Sequence, residues 1–307
     1  MITRIAIVGA GTVGATAAYA LLLGSVANEI LLVDIKTDRR DGQAHDLSDA
    51  AYSTKSSSRI RSATYHEAGE CDIVIITAGS KQNVGHTSVE LEYRNISTLK
   101  SVIHAMKPHF RHDTILLVVA NPVDVLTTIA LGVSGLPRSQ VIGSGTFLDS
   151  VRLRGLLADK AGAKANSIGI YVLGVQGETQ FIAWSAATFG GVPIDKALPI
   201  DTIDRIELAD QCKHVARTII QAKGTISFGI GAIVASICSS ILNDKRDVRP
   251  LTTFQPDLGC CVSLPVVLGR KGAIRTIPVE LNEEEKKTLE ETAKALKVEI
   301  EQVRGEL

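Results

Sequence analysis

Aromatic residues are scarce, 4% of a 307-residue chain, while Ala, Val, Ile, Leu and Gly abound. That balance suits a parallel sheet buried on both faces. Net charge is also lacking: 33 Lys and Arg face 33 Asp and Glu, so no global field draws in DNA or an anionic membrane. No nucleic-acid or membrane partner is expected, and a small molecule is the default. No apolar run reaches the roughly 20 residues that cross a bilayer. The five cysteines (Cys71, Cys212, Cys238, Cys260, Cys261) contain no CxxC pair, and most sit in apolar surroundings where a thiol behaves as a small hydrophobe. Free thiols in a reduced, cytoplasmic protein are expected, with the adjacent Cys260 and Cys261 serving strand packing. The first apolar segment, Arg4 to Val8, begins at once, leaving no room ahead of it for a signal peptide. His45, His66, His104, His109, His112 and His214 show no ligand spacing, so no metal is expected.

What is present alternates. Short apolar runs at Arg4 to Val8, Glu29 to Ile35, Asp72 to Thr77, Thr114 to Val119 and Gln140 to Ile142 read as strands, with helical patterns such as Val13 to Leu23 and Leu91 to Met106 between several of them. This is βαβ repetition, the pattern of a doubly wound sheet. After about residue 145 the pattern changes. Arg152 to Ala161 and Arg205 to Ala222 read as helices, and Ser167 to Val172 and Cys260 to Leu268 as strands of an antiparallel sheet. Asn282 to Val303 is a charged terminal helix, with Asn282 as N-cap and Glu283, Glu284 and Glu285 at the positive end of the dipole. The polar stretch Ser53 to Ser58 reads as a surface loop.

Gly9-Ala10-Gly11-Thr12-Val13-Gly14 follows the first strand and opens a helix, the context in which a GxGxxG pattern carries meaning. Gly9 allows the tight turn, Gly11 lets a pyrophosphate approach the backbone, and Gly14 lets helix and strand pack closely. The helix N-terminus offers N–H groups to the phosphates. Asp34 ends the second strand at the distance where a carboxylate takes the adenosine ribose hydroxyls, and there it repels a 2′-phosphate. NAD(H) is therefore the expected cofactor.

Further segments carry a likeness over nearly the whole chain. Ile75-Ile76-Thr77-Ala78-Gly79, Ala120-Asn121-Pro122-Val123-Asp124-Val125-Leu126, Val141-Ile142-Gly143-Ser144-Gly145-Thr146-Phe147-Leu148-Asp149 and Tyr171-Val172-Leu173-Gly174 resemble the L-lactate dehydrogenases of the lactate/malate dehydrogenase family. The resemblance implies an α/β fold: a Rossmann doubly wound parallel sheet in an NAD-binding domain over residues 1–143, then an α+β substrate domain over 144–307. It also implies a homotetramer or homodimer. Thr77, Ala78 and Gly79 join the cofactor residues, and Asn121 falls beside both nicotinamide and substrate. Arg152 stands at the position of the substrate-carboxylate clamp, whose planar fork suits a bidentate pair. Asp149, three residues earlier and on the same helical face, stands at that of the carboxylate orienting the proton donor. Gln82 matches the start of the mobile loop where substrate size is discriminated.

Two catalytic parts depart from the family pattern. Ser88 stands where the loop arginine that polarises the carbonyl belongs, and Gln176, in Leu173-Gly174-Val175-Gln176-Gly177-Glu178-Thr179, stands where the catalytic histidine belongs. Glutamine does not titrate near neutrality and cannot act as general acid, a role usually contributing ~10²- to 10⁴-fold. Ile226 replaces a usual threonine near the substrate, making the pocket more apolar. Glu178 matches an acidic residue that is usually structural, and His86 lies on the closing loop, where a solvated side chain and a substitute acid are both open. Several changes beside an intact glycine loop point to a divergent paralogue, in specialised metabolism, acting on a carboxylate-bearing carbonyl or imine/iminium substrate rather than efficiently on pyruvate or lactate. A non-redox catalyst of cyclisation or isomerisation, and an NAD-binding pseudoenzyme, are the competing readings. Asp149 is expected to lack a histidine partner, which forces it either to bind a cation or to hold a proton.

Overall fold

The computed structural model describes residues 2–79, 88–198 and 204–306. In the first half, strands β1 (Arg4–Val8), β2 (Glu29–Val33), β3 (Arg59–Ser62), β4 (Ile73–Ile76), β5 (Ile115–Val118) and β6 (Val141–Gly143) alternate with helices α1 (Thr12–Leu23), α2 (Thr37–Thr54), α3 (Tyr65–Gly69), α4 (Ser88–Met106) and α5 (Val123–Ser134). The six strands are parallel in the order β3-β2-β1-β4-β5-β6. The order reverses between β1 and β4, and such a switch point leaves a crevice at the carboxyl ends of the strands.

Strand periodicity divides the core in two. Ile5 and Ile7 of β1, with Ile30, Leu32, Ile73 and Ile75, face α1, α2 and the later helix α9 (Phe228–Leu242). Ala6 and Val8, with Leu31, Val33, Val74 and Ile76, face α4, α5 and the terminal helix α10 (Glu283–Glu306). Both faces are dry, so the strands are continuous apolar runs rather than alternating ones. Each such side chain contributes roughly 1.5–3 kcal/mol by burial.

The second half holds α6 (Phe147–Ala161), β7 (Ile168–Gly169), β8 (Val172–Leu173), β9 (Phe181–Ile182), β10 (Thr188–Phe189), β11 (Val192–Pro193), α7 (Ile194–Ala197), α8 (Arg205–Lys223), α9, β12 (Asp247–Gln255), β13 (Cys260–Gly269), β14 (Gly272–Thr276) and α10. Strands β12, β13 and β14 extend the parallel sheet antiparallel, with Thr252 of β12 opposite Gly143 of β6. The expectation that Ser167 to Val172 and Cys260 to Leu268 share one antiparallel sheet is corrected. The first segment splits into β7, paired with β10, and β8, paired with β9. The second pairs residue for residue with β12 through a hairpin, whose closure costs little loop entropy compared with a distant partner. The bridge between Gly174 and Ser263 joins β13 to the segment after β8.

Helix α2 takes in the first two residues of the expected loop Ser53 to Ser58. Ser53 and Thr54 donate back to the Asp49 and Ala50 carbonyls at 2.9 Å each, and the left-handed Lys55 (φ +53°) ends the helix. The Asn282 cap is formed: Glu285 N donates to Asn282 Oδ1 at 2.9 Å and Asn282 N to Glu285 Oε2 at 3.1 Å. All five cysteines are buried free thiols, and burial pushes each well above its ordinary titration range. Among the described residues no single helix is long and apolar enough to cross a membrane.

Candidate active site

The glycine loop sits at the crevice between β1 and β4. Gly9 has φ +107°, and a Cβ there would stand 2.6 Å from the Ala78 nitrogen. A Cβ on Gly14 would press onto the Gly9 carbonyl and lie 2.8 Å from Thr77 Oγ1, which itself donates to the Gly9 carbonyl at 2.8 Å. Loop, helix and the turn after β4 are thus in backbone contact. Gly11 is the opposite case: nothing lies within 4 Å of where its Cβ would be. That opening adjoins the start of α1, whose first turn holds no acidic residue and has no side-chain cap, leaving its leading N–H groups for an anion. Thr12 is exposed and Val13 half-buried at the same turn.

Asp34, at the end of β2, accepts Ala10 N at 2.7 Å on Oδ2 and Lys36 N at 2.8 Å on Oδ1. The carboxylate is held by backbone while each oxygen keeps a lone pair for a vicinal diol. Across the crevice, a Cβ on Gly79 would lie 3.3 Å from Asn95 Oδ1, and Asn95 Nδ2 donates to the Asn121 carbonyl at 2.8 Å, binding the turn after β4 to that after β5. The Asn121 side chain is exposed there. An open space at Gly11, flanked by uncapped N–H groups and a fixed carboxylate, fits a dinucleotide with a free 2′-hydroxyl.

Helix α6 carries Asp149 and Arg152 one turn apart, and Arg152 Nη1 donates to Asp149 Oδ1 at 2.8 Å. Of the two outcomes open to a buried Asp149 without a histidine, the bound cation is the one seen: the i, i+3 spacing delivers it from its own helix. Buried Gln180 accepts Gly177 N on Oε1 at 3.2 Å. Asp149 is 4% exposed, and burial raises its pKa above the ordinary carboxylate value against the opposing pull of Arg152 and Gln180.

Gln176 is half-buried, and its place is set by its backbone. Its N–H donates to Asp124 Oδ2 at 2.7 Å, and Asp124 Oδ1 accepts Thr252 Oγ1 at 2.6 Å. Thr252 Oγ1 lies 3.0 Å from Ser263 Oγ, which accepts Thr146 N at 3.2 Å. A buried polar chain thus pins the Gln176 segment to α5, β12, β13 and the start of α6. Burial pushes Asp124 up to about 6, against the two hydrogen bonds it accepts.

Glu178 points to solvent, ion-pairs with Arg217 of α8 and offers its carbonyl to Lys213 Nζ at 3.0 Å. Thr292 Oγ1 of α10 donates to Thr179 Oγ1 at 2.6 Å. These contacts strap the loop from outside, so Glu178 holds the segment in place. Ile226 is partly buried and packs against the core cluster that contains Phe147 and Leu148. Gln82 and His86 lie outside the described residues. So does the side chain of Ser88, whose backbone begins α4.

The structure thus pairs Asp149 with Arg152 and anchors the Gln176 segment on Asp124, a residue not singled out from the sequence for a role. Asp124 had one signal, its place in the Asn121-Pro122-Val123-Asp124 run. Two other clefts, of about 420 Å³ between α2 and β3 and about 430 Å³ along α10, hold no convergent chemistry. In the first, Arg40, Asp41, Ser62 and Arg61 are occupied with one another or with Glu29 and Glu67.

Residues 3–143 match the lactate/malate dehydrogenase NAD binding domain, and residues 146–307 match the lactate/malate dehydrogenase alpha/beta C-terminal domain. The chain is 42% identical to L-lactate dehydrogenase A of Rhizopus oryzae over 96% of its length and 91% of that protein's. It is 37% identical to L-lactate dehydrogenase of Synechococcus sp. (strain JA-3-3Ab), over 97% and 98% of the two chains. The crystal structure of minor L-lactate dehydrogenase from Enterococcus mundtii, in its ligands-bound form, superposes with a TM-score of 0.94 at 32% identity, covering 98% of each chain. A switch-point crevice, a cradle suited to NAD(H) and two matched halves lead to one conclusion: the chain belongs to the lactate/malate dehydrogenase family, with NAD(H) as its cofactor.

Proposed function

We propose that this family member is a divergent NAD(H)-dependent oxidoreductase acting on a carboxylate-bearing carbonyl or imine/iminium substrate rather than efficiently on pyruvate or lactate. One observation carries the reading. Gln176 stands in the sequence where the family's histidine would hold a proton, and its backbone N–H is anchored to buried Asp124 at 2.7 Å. Ser88 in place of the loop arginine supports it.

Gly9, Gly11, Thr12, Val13, Gly14, Asp34, Thr77, Ala78, Gly79 and Asn121 hold the dinucleotide in this reading. Bound NADH supplies a hydride. Arg152 gives one N–H to Asp149 and keeps the rest of its fork for a substrate carboxylate. Gln82, Ser88, Asn121 and Ile226 shape the space around the reacting carbon, and Ile226 makes it more apolar. Two routes need no histidine: Asp149, raised by burial, gives a proton to a carbonyl oxygen, or it stays ionised beside a cationic carbon–nitrogen double bond. The same reading divides the chain into an NAD-binding domain over 1–143 and a substrate domain over 144–307, in a cytoplasmic homo-oligomer.

Stopped-flow absorbance at the reduced-nicotinamide band tests it, with bulky 2-oxo acids and cyclic imines as a panel. Consumption of NADH by a member of the panel, well above that with pyruvate, is expected. Tight NADH binding with no consumption by any candidate would overturn it in favour of a non-redox catalyst or a pseudoenzyme.

A further inference from the structure

We propose that a ligand carboxylate arriving at Arg152 makes Asp149 take up a proton, so that the substrate itself loads the acid of the reaction and a 2-oxo acid, rather than an iminium, is the substrate class. The inference rests on the oxidoreductase reading and chooses between its two routes.

Asp149 and Arg152 form a closed pair: Arg152 Nη1 donates to Asp149 Oδ1 at 2.8 Å, and Asp149 is buried. The other charges nearby are engaged elsewhere. On α8, Lys213 reaches the Glu178 carbonyl at 3.0 Å, Arg217 pairs with Glu178, and His214 lies on the exposed side. Cys212 of the same helix donates to the Asp149 carbonyl at 3.4 Å, its thiol kept protonated by burial. On α6 itself Arg154 donates to the Ile170 carbonyl at 3.2 Å, and on β12 Arg249 pairs with Asp247 at 3.1 Å and lies over the Phe147 ring. Helix α9, strands β7 and β8 and the turn Ala165–Ser167 bring no charged side chain, and the segment after β8 brings the neutral amides Gln176 and Gln180. Among the described residues, one guanidinium therefore offsets one dry carboxylate.

A substrate carboxylate upsets that balance. Of the Arg152 side chain 13% stays accessible against 6% of that of Asp149, so an arriving anion meets the guanidinium first. The fork has N–H donors for both carboxylates but only one positive charge. Two carboxylates on one buried cation leave an uncompensated anion, which a proton on Asp149 removes. Even with Arg152 in place, burial holds Asp149 above the ordinary carboxylate range, so the site leans toward the neutral acid. A neutral acid is a donor, and a donor suits a carbonyl oxygen rather than an N⁺–H. The chemistry then closes. C2 of the 2-oxo acid accepts the hydride from NADH and forms a C–H bond, the C=O π pair moves to oxygen, and that oxygen takes the Asp149 proton directly or through one water. NAD⁺, a 2-hydroxy acid and ionised Asp149 result, and product release returns the whole cation to Asp149.

Isothermal titration calorimetry of the NADH complex tests this with oxamate and N-isopropyloxamate, whose amide carbonyls accept no hydride, so that binding is read without turnover. Repeating the titration at neutral pH in buffers of different ionisation enthalpy counts the protons. Uptake of about half a proton or more per ligand is expected, with Kd rising toward about tenfold per pH unit above neutrality. Asp149→Asn cannot titrate and is expected to bind the probes with uptake near zero. Should D149N fail to fold, infrared difference spectra of the unmodified complex take its place, and the ligand is expected to bring out the C=O band of a protonated carboxylic acid. No binding of either probe, no uptake, uptake that persists in D149N, or spectra without that band would overturn the proposal, as would NADH consumption confined to imines. NADH consumption by a 2-oxo acid without proton uptake on probe binding would sink this inference alone; uptake without NADH consumption by any candidate would sink the oxidoreductase reading alone.

Discussion

Asp124 is the buried carboxylate on which the Gln176 segment hangs, and its replacement by asparagine separates charge from shape. The folded acid holds its proton to about pH 6, because burial penalises the anion, whereas an unfolded aspartate releases it near 4. Between those values the folded state binds more protons, so stability falls as pH rises through the window. Two units correspond to about 3 kcal/mol. Asp124→Asn has no such slope. Its Oδ1 takes the Gln176 N–H, and its NH₂ donates to Thr252 Oγ1, which turns its own proton to Ser263 Oγ. The variant is therefore expected to match or exceed the unmodified protein above pH 6 and to lose that relative advantage near pH 4. Asp124→Ala abandons the Gln176 N–H and Thr252 and is expected to cost about 2–4 kcal/mol at any pH. Urea unfolding followed by far-UV circular dichroism between those limits measures both. Parallel stability curves for the unmodified protein and D124N across the window would refute the reasoning.

Gly14→Ala places a methyl group on the Gly9 carbonyl and beside Thr77, so NADH affinity by fluorescence titration is expected to fall and stability to drop by about 1–3 kcal/mol. Were packing irrelevant, alanine's helix propensity would instead raise stability by up to ~1 kcal/mol. Asp34→Asn removes the charge facing a 2′-phosphate while keeping an acceptor, and the preference for NADH over NADPH in competitive binding is expected to shrink by about tenfold. Asn282→Ala breaks the reciprocal cap on α10 and is expected to lower stability by ~1 kcal/mol in thermal or urea unfolding.

Legibility in the sequence followed burial. Strand β1 runs over Arg4–Val8 as read, and β4 and β5 lie within their expected runs, because a strand dry on both faces is a continuous apolar word. Edge strand β3, Arg59–Ser62, went unread: one of its four residues is buried, and its arginine at 61 works through ion pairs to Glu29 and Glu67. Helix α6 starts at Phe147 rather than Arg152, since Thr146 and Ser150 fix its first turn through the Val172 carbonyl, a contact 22 to 26 residues away. The glycine cradle was legible because its constraints are local. The Asp149–Arg152 pair was half legible: spacing put both on one face, but a side-chain rotamer decides whether they meet. The Asp124 anchor depends on how a loop folds over elements distant in sequence, and no local pattern announces that.

The most direct test of the missing proton donor is steady-state pyruvate reduction at saturating NADH, comparing the unmodified protein with Gln176→His and with Q176H combined with Ser88→Arg. Placing an imidazole at position 176 is expected to raise pyruvate turnover by ~10²-fold or more, with the double variant higher still. A turnover number of ~10 s⁻¹ or above in the unmodified protein, typical of competent enzymes, with no gain on introducing the histidine, would contradict the account.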